Sequence, residues 1–371
     1  MNIILQPFID NNLGDDLMIK LFAKKFKQHK IIILSDDTLF NSGFKEEKNI
    51  IFYSPNMYED VFKIADIHII IGGSMFILKI QSIKDAVKLR YRYFESKKLK
   101  KIAKKNNIKT AVIGANLGPF DKNNYGLMLA KYELNTKDFI TVRDKYSYQT
   151  LYYSNCVNIS NNVTEYPDIV YGLRKYLPSD EINKKYGLGI SAYRSTNKKQ
   201  NYENYLAYAK ISDEFISKTG KKVAIFSFDS EDQNDLISAY YIKEFSEYPE
   251  MIEIVPYLRN IELFLEKFLL CENFLATRFH SAILSQVYDI PFYALGYSNK
   301  MKNLMNDQNK LSYFSELKNL NKDLNKISEK ILSGDLARCD NIEELSRRSQ
   351  GHFKKIEILI NSIKDTKGQI L

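Results

Sequence analysis

Short, almost wholly apolar runs alternate along this chain with longer stretches in which apolar residues recur every three or four positions. In the first half the runs fall at residues 3–5, 31–34, 67–71, 111–113 and 139–142. Continuous apolar runs of that length predict strands buried on both faces, and the helical patterns between them predict a parallel sheet. The pattern starts again at Gly189-Ile190-Ser191 and continues at 223–226, 252–255, 274–276 and 292–295. Two such series predict an α/β chain of two Rossmann-like, doubly wound domains facing each other across a cleft. Pro167 and Pro178 punctuate the stretch between the series. The expected boundaries are 1–175 for an N-terminal domain, 180–314 for a C-terminal domain, and 315–371 for C-terminal helices with a tail that frays after Asp365.

In doubly wound sheets ligands bind beside the carboxyl ends of the strands, so the turns after the strands are where chemistry is expected. Asn11-Asn12-Leu13-Gly14-Asp15-Asp16 follows the first strand, Gly72-Gly73-Ser74 the third run, and Gly114-Ala115-Asn116-Leu117-Gly118-Pro119 the fourth. Glycines there let backbone amides approach a ligand, and a helix N-terminus favours an anion. The most informative turn is Thr277-Arg278-Phe279-His280-Ser281. Its arginine can grip a carboxylate or phosphate with a forked pair of hydrogen bonds, and its histidine can move a proton at neutral pH. The other histidines lie in charged stretches (His29, His352) or inside an apolar strand pattern (His68).

With 371 residues and 44% hydrophobic content, the chain can give each of two domains a core. No apolar run reaches eighteen residues, and the beginning lacks a basic leader, so the expected location is cytoplasmic. Cys156, Cys271 and Cys339 are widely spaced and fit reduced structural thiols; no cofactor or metal site is expected. The formal charge of +9 is concentrated between 84 and 109, where eleven Lys or Arg face only Asp85 and Glu95. Val87, Tyr91, Phe94, Leu99, Ile102 and Ala103 recur there at roughly helical spacing, which predicts an amphipathic helix with a basic outer face. That face is either simply solvated or attracted to an anionic surface, the inner leaflet or a phosphate-bearing lipid carrier, which would place the protein peripherally at the inner face of the membrane. No zinc, helix-turn-helix or RNA-binding signature accompanies the charge, so nucleic acid is not the expected partner.

Taken in order from residue 12 to about 304, these turns resemble the polysaccharide pyruvyl transferase family. The resemblance rests on Asn12, Gly14 and Asp15; Gly72 and Gly73; Gly118 and Pro119; and Arg143-Asp144 with Ser147 and Leu151. It continues through Asp168, Gly189-Ile190-Ser191 with Arg194, Arg278-Phe279-His280 leading to Ile290-Pro291, and Tyr297 with Lys300. It implies transfer of a pyruvyl group from phosphoenolpyruvate, as co-substrate, to two hydroxyls of a sugar of a cell-surface polysaccharide or its precursor, leaving a cyclic ketal and phosphate. On this reading Arg194, Arg278, Ser191 and Lys300 hold the donor in the C-terminal domain, and His280 protonates the enol carbon or steadies the departing phosphate. Asp15 takes the acceptor's proton, while Asn12, Gly73, Ser74 and Asn116 form the acceptor side. Ser74 stands where the family usually has a third glycine, and Ala115-Asn116-Leu117 is poorer in glycine than the family's turn, so the departures concern the acceptor. Asp144 is read as a helix N-cap and Arg143 as its structural partner. Two rivals stay open: a GT-B-like glycosyltransferase, because sugar-nucleotide enzymes also use a facing pair of such domains, and a non-catalytic carbohydrate-binding protein.

Overall fold

Ile31, Ile32 and Ile33 are wholly inaccessible to solvent, as a strand covered on both faces requires. In this computed structural model the described residues are all except 74–75, 77–81, 119–124, 154–162, 177–182, 231–233 and 369–371. Ser74, Pro119, Cys156 and Pro178 lie outside them.

Two parallel sheets form. The first contains β1 (Asn2–Gln6), β2 (Lys30–Leu34), β3 (Ile50–Tyr53), β4 (Ile67–Ile71), β5 (Lys109–Ala115), β6 (Phe139–Val142) and β7 (Val163–Glu165), in the order β3-β2-β1-β4-β5-β6-β7. The second contains β8 (Tyr186–Ser191), β9 (Val223–Ser227), β10 (Ile252–Pro256), β11 (Cys271–Ala276), β12 (Phe292–Gly296) and β13 (Phe314–Glu316), in the order β10-β9-β8-β11-β12-β13. In each sheet the order reverses once, between β1 and β4 and between β8 and β11, and helices connect the strands, so both are doubly wound. Three strands are absent from the sequence reading. β3, β7 and β13 are edge strands and mostly half-buried; β7 and β13 are three residues long and carry no continuous apolar run, whereas β3 does carry one, Ile50-Ile51-Phe52-Tyr53, which the sequence reading passed over. β13 also interrupts the region expected to be purely helical.

Contacts divide the chain into a first unit (Met1–Ile9, Met18–Gly172, Leu345–Leu371) and a second unit (Asp10–Leu17, Leu173–Glu344). One division falls between Gly172 and Leu173. The divisions at 9, 17 and 344 are not visible as composition shifts, and the terminal helix Gly351–Gly368 counts with the first unit. The described residues 167–173 of the intervening stretch are buried. Asp168 pairs with buried Arg143 at 2.9 Å and accepts from the backbone N–H of Val170, starting a 3-10 helix, Ile169–Tyr176, whose Ile169, Val170 and Tyr171 are buried. Arg143 thus serves Asp168, whereas Asp144 does cap its helix, accepting from the N–H of Ser147 at 2.6 Å.

The basic segment forms the helix Ile83–Lys105, and of its expected inward face the half made of Leu99, Ile102 and Ala103 is turned inward. Leu89 and Ala103 are buried and Tyr93, Leu99 and Ile102 pack partly against the cores, while Val87, Tyr91 and Phe94 are 62%, 67% and 53% exposed. No described helix is long and apolar enough to cross a membrane. Cys271 and Cys339 are free thiols.

His352 completes the first unit from the terminal helix. Its Nε2 lies 2.9 Å from the carbonyl of Pro167, which can only accept, so Nε2 carries the proton and Nδ1 accepts from the Thr141 hydroxyl at 2.6 Å. Thr141 Oγ1 in turn accepts from the N–H of Gly114. Burial pushes the imidazole down to about 4, against the Pro167 carbonyl and Asp168. Between that value and the ordinary 6.5, the unfolded chain binds a proton that the folded chain refuses. This contribution is present in full above pH 6.5 and is lost as pH falls toward 4, by roughly 3 kcal/mol in total. We expect urea midpoints to fall between pH 6.5 and 5 more steeply for the natural chain than for His352→Gln. Equal slopes would refute this origin.

Candidate active site

The second sheet's reversal point brings the ends of β8 and β11 side by side, and a single hydroxyl fixes the turn that follows. Ser191 Oγ accepts from the N–H of Thr277 at 2.6 Å and of Arg278 at 3.1 Å and shares a hydrogen bond with Ser281 Oγ at 3.0 Å. Ser191 is fully buried, so this residue, read from the sequence as donor-binding, shapes the Arg278 turn through its backbone.

Arg278 is the N-cap of the helix Phe279–Val287 and is 5% exposed. The forked grip expected of it is made within the protein. Nε and Nη2 each donate to Asp235 at 2.7 Å, and Nη2 also approaches Asp229 at 3.5 Å. Nη1 makes no hydrogen bond among the described residues. Burial disfavours the guanidinium charge, but Asp235, Tyr297 and Asp229 outweigh it and hold Arg278 above its ordinary value. Burial likewise raises Asp235, and the adjacent Arg278 pulls it back. Tyr193 and Tyr297 stack with centroids 3.9 Å apart and planes 12° from parallel, and the guanidinium carbon lies 5.0 Å from the Tyr193 ring centre. Two rings and a carboxylate therefore leave the cation little freedom.

His280, two residues on, meets the loop that contains Asn12, Gly14 and Asp15. A Cβ on Gly14 would lie 1.7 Å from His280 Nδ1 and 2.2 Å from Cε1, so the imidazole rests on the space that glycine leaves open. The loop is fastened to the second unit by backbone and buried charge. The N–H of Leu13 donates to the carbonyl of Phe228, that of Ser230 to Asn11, and Asn12 bridges Asp229. Asp16 accepts from the Tyr257 hydroxyl at 2.6 Å and from Arg259 Nη1 at 2.9 Å, and Arg259 Nη1 also reaches the carbonyl of Asp10. Burial raises Asp16, opposed by the charge of Arg259 and the hydroxyl of Tyr257. Arg259 adopts φ 61, a left-handed conformation costly for a side chain of this size, which the surrounding bonds sustain.

Ser191, Arg194, Arg278, His280, Asn12 and Asp15 all belong to the second unit, as does Lys300, in the first turn of the helix Asn299–Asp307. Arg194 is partly exposed. Its N–H donates to Asp235 at 3.2 Å, and its guanidinium has no ion pair among the described residues. Asn12 Oδ1 accepts from the N–H of Gly14, which makes Asn12 the cap of the helix Leu13–Lys25; Asp15 lies in that helix's first turn. Gly73 and Asn116 belong to the first unit. Gly72 and Gly73 both take left-handed conformations, and the Gly73 carbonyl accepts from Asn116. The Asn116 amide nitrogen donates to Asp144 at 2.9 Å and to Ser147 at 3.1 Å. The sequence reading missed Asp235, Asp229, Tyr193 and the Asp16–Tyr257–Arg259 cluster. The acid at the end of β9, Asp229, was the one legible signal. Among the described residues no group of His, Cys, Asp or Glu could hold a metal ion.

The sequence pattern of polysaccharide pyruvyl transferases matches residues 12–299, which takes in both the Gly14 loop and the Arg278–His280 turn. The chain belongs to this family. No curated protein matches the sequence of this family member. Among solved structures it is similar to the UDP-GlcNAc 2-epimerase of Methanocaldococcus jannaschii, at 14% identity over 97% of this chain and 99% of that one, with a TM-score of 0.59. The UDP-GlcNAc 2-epimerase of Neisseria meningitidis, solved with UDP-GlcNAc, is similar at 11% identity over 97% and 100%, with a TM-score of 0.60. An Anabaena protein solved with UDP is similar at 9% identity over 97% and 99%, with a TM-score of 0.55. At such identities these likenesses bear on the fold of the pyruvyl transferase family member alone, the α/β two-domain, GT-B-like architecture expected from its strand series.

Proposed function

We propose that this protein transfers a pyruvyl group from phosphoenolpyruvate to a pair of hydroxyls on a saccharide of a cell-surface polysaccharide or its precursor, releasing phosphate. The observation that carries the reading is the seating of the His280 ring on Gly14, which joins two of the family's sequence motifs in one place. His280 gives its proton to the methylene carbon of phosphoenolpyruvate, and the neighbouring carbon becomes electrophilic. One sugar oxygen adds there, and its proton passes to Asp15. The carbon–oxygen bond to phosphate then breaks, and the second hydroxyl closes the ketal. Asp15 hands the first hydroxyl's proton to the departing phosphate and the second hydroxyl's proton restores His280, so both residues return to their starting states and the sum balances without a cofactor. Arg194, Lys300 and the Nη1 of Arg278 supply positive charge for the donor's carboxylate and phosphate. Asn12, Gly73, Ser74 and Asn116 are proposed on the acceptor side, and the acceptor is met at an anionic membrane surface.

The fold relatives include sugar-nucleotide proteins, which keeps a glycosyltransferase as the competing outcome. Ligand binding separates the two. Phosphoenolpyruvate is expected to stabilise the protein by about 2.7 kcal/mol at a hundredfold excess over its Kd, read as a rise in Tm, with UDP-sugars inert. Stabilisation by UDP-sugars alone would overturn the reading. Phosphate release that needs an added saccharide would exclude a purely carbohydrate-binding role.

A further inference from the structure

The helix Ile83–Lys105 carries ten lysines and arginines against two acids, and most of that charge is uncommitted. Arg92 pairs with Glu133 and Lys98 with Glu59, but Lys84, Lys88, Arg90, Lys97 and Lys101 form no ion pair among the described residues. A second feature shares the face. Val87, Tyr91 and Phe94, spaced by four and three residues and hence aligned, are each more than half exposed, although Leu89, Tyr93 and Ala103 already supply the inward face. The Arg90 guanidinium carbon lies 5.9 Å from the Phe94 ring centre, so cation and aromatic ring are intermixed. A merely solvated basic helix gains nothing from three outward apolar side chains. A phosphate-only partner such as nucleic acid would use the lysines and leave Val87 and Phe94 in water. A lipid leaflet uses both: apolar and aromatic side chains enter the boundary between headgroups and acyl chains while cations meet the lipid phosphates.

The structure assigns this outward face as the surface that docks the protein onto an anionic leaflet, with Val87, Tyr91 and Phe94 as the inserting residues and Lys84, Lys88, Arg90, Lys97 and Lys101 as the lipid-phosphate contacts. The assignment rests on the membrane part of the function proposed above and is independent of its chemistry. The test is flotation of the full chain with vesicles of phosphatidylcholine alone or mixed with phosphatidylglycerol. Binding is expected only to the mixed vesicles and should weaken as salt screens the charges. The triple variant Val87→Ser, Tyr91→Ser, Phe94→Ser should keep the natural Tm, because these side chains are outside the core, yet partition at least about tenfold less. Lys88→Glu, Lys97→Glu and Lys101→Glu together should lose roughly fivefold per cation removed. Equal flotation with neutral vesicles, or full binding by the serine variant, overturns the assignment. So does a dimer in gel filtration that the serine substitutions dissolve, since a second copy would then be the occupant. Phosphate release with a water-soluble saccharide should be the same in all these variants, so failure of docking is distinguishable from failure of the chemistry.

Discussion

Gly14→Ala is expected to remove most of the activity while leaving the protein folded. Two effects oppose each other at this position. Gly14 lies inside the helix Leu13–Lys25 and has no left-handed backbone angle, so alanine suits the local conformation and adds about 0.5–1 kcal/mol of helix stability. Its methyl carbon, however, would stand 1.7 Å from His280 Nδ1 and must drive the imidazole away by more than an ångström. A displacement of that size costs on the order of a hundredfold in rate when the group is catalytic. His280→Ala, which deletes the proton donor, should cost about 10²–10⁴-fold. The pair makes a sharp experiment. Phosphate release should fall in both variants, Tm should hold in both, and the double variant should be no worse than His280→Ala alone. Near-normal turnover of Gly14→Ala with an unchanged Tm would show that the imidazole's position is irrelevant to the reaction.

Asp235→Ala should instead strike stability first. It removes both acceptors of the Arg278 fork and the carboxylate that accepts the Arg194 N–H, leaving a cation that is 5% exposed without its main partner. Breaking a buried pair from one side costs about 3–5 kcal/mol, since the remaining charge stays desolvated. Asp229, 3.5 Å from Nη2, keeps one longer ion pair but supplies no second acceptor for the fork. The natural chain and the variant should differ by that amount in urea unfolding, and Arg278→Lys, which keeps a charge but loses the fork, should fall between them. A loss below about 1 kcal/mol for Asp235→Ala would mean that Arg278 does not depend on this carboxylate.

How much of this was legible in the sequence depends on range. The inner strands announce themselves because each is a continuous apolar run, and the Gly14 and Arg278–His280 turns stand out because they follow such runs. The edge strands β7 and β13 are only three residues long and leave no comparable trace, while β3 and β10, also at edges, do carry apolar residues. The helix Ile83–Lys105 misled for another reason. It carries two apolar stripes, and the stripe through Val87, Tyr91 and Phe94 is the one left outside, a choice made by what packs beneath and not by periodicity. The ion pairs that organise the site join residues 43 positions apart, Arg278 and Asp235, or 243 apart, Arg259 and Asp16. Neither pair has a spacing rule that would reveal it.

His352 gives the chain's connectivity a practical meaning. The ring arrives from beyond residue 344, after the whole 173–344 segment has been laid down in the other unit, and settles against Thr141 and Pro167. During synthesis on the ribosome the Pro167 carbonyl therefore lacks its donor and the Thr141 hydroxyl its acceptor until residue 352 has been made. No single crossover point can graft one unit onto a homologous half, because both would inherit a piece of the wrong parent.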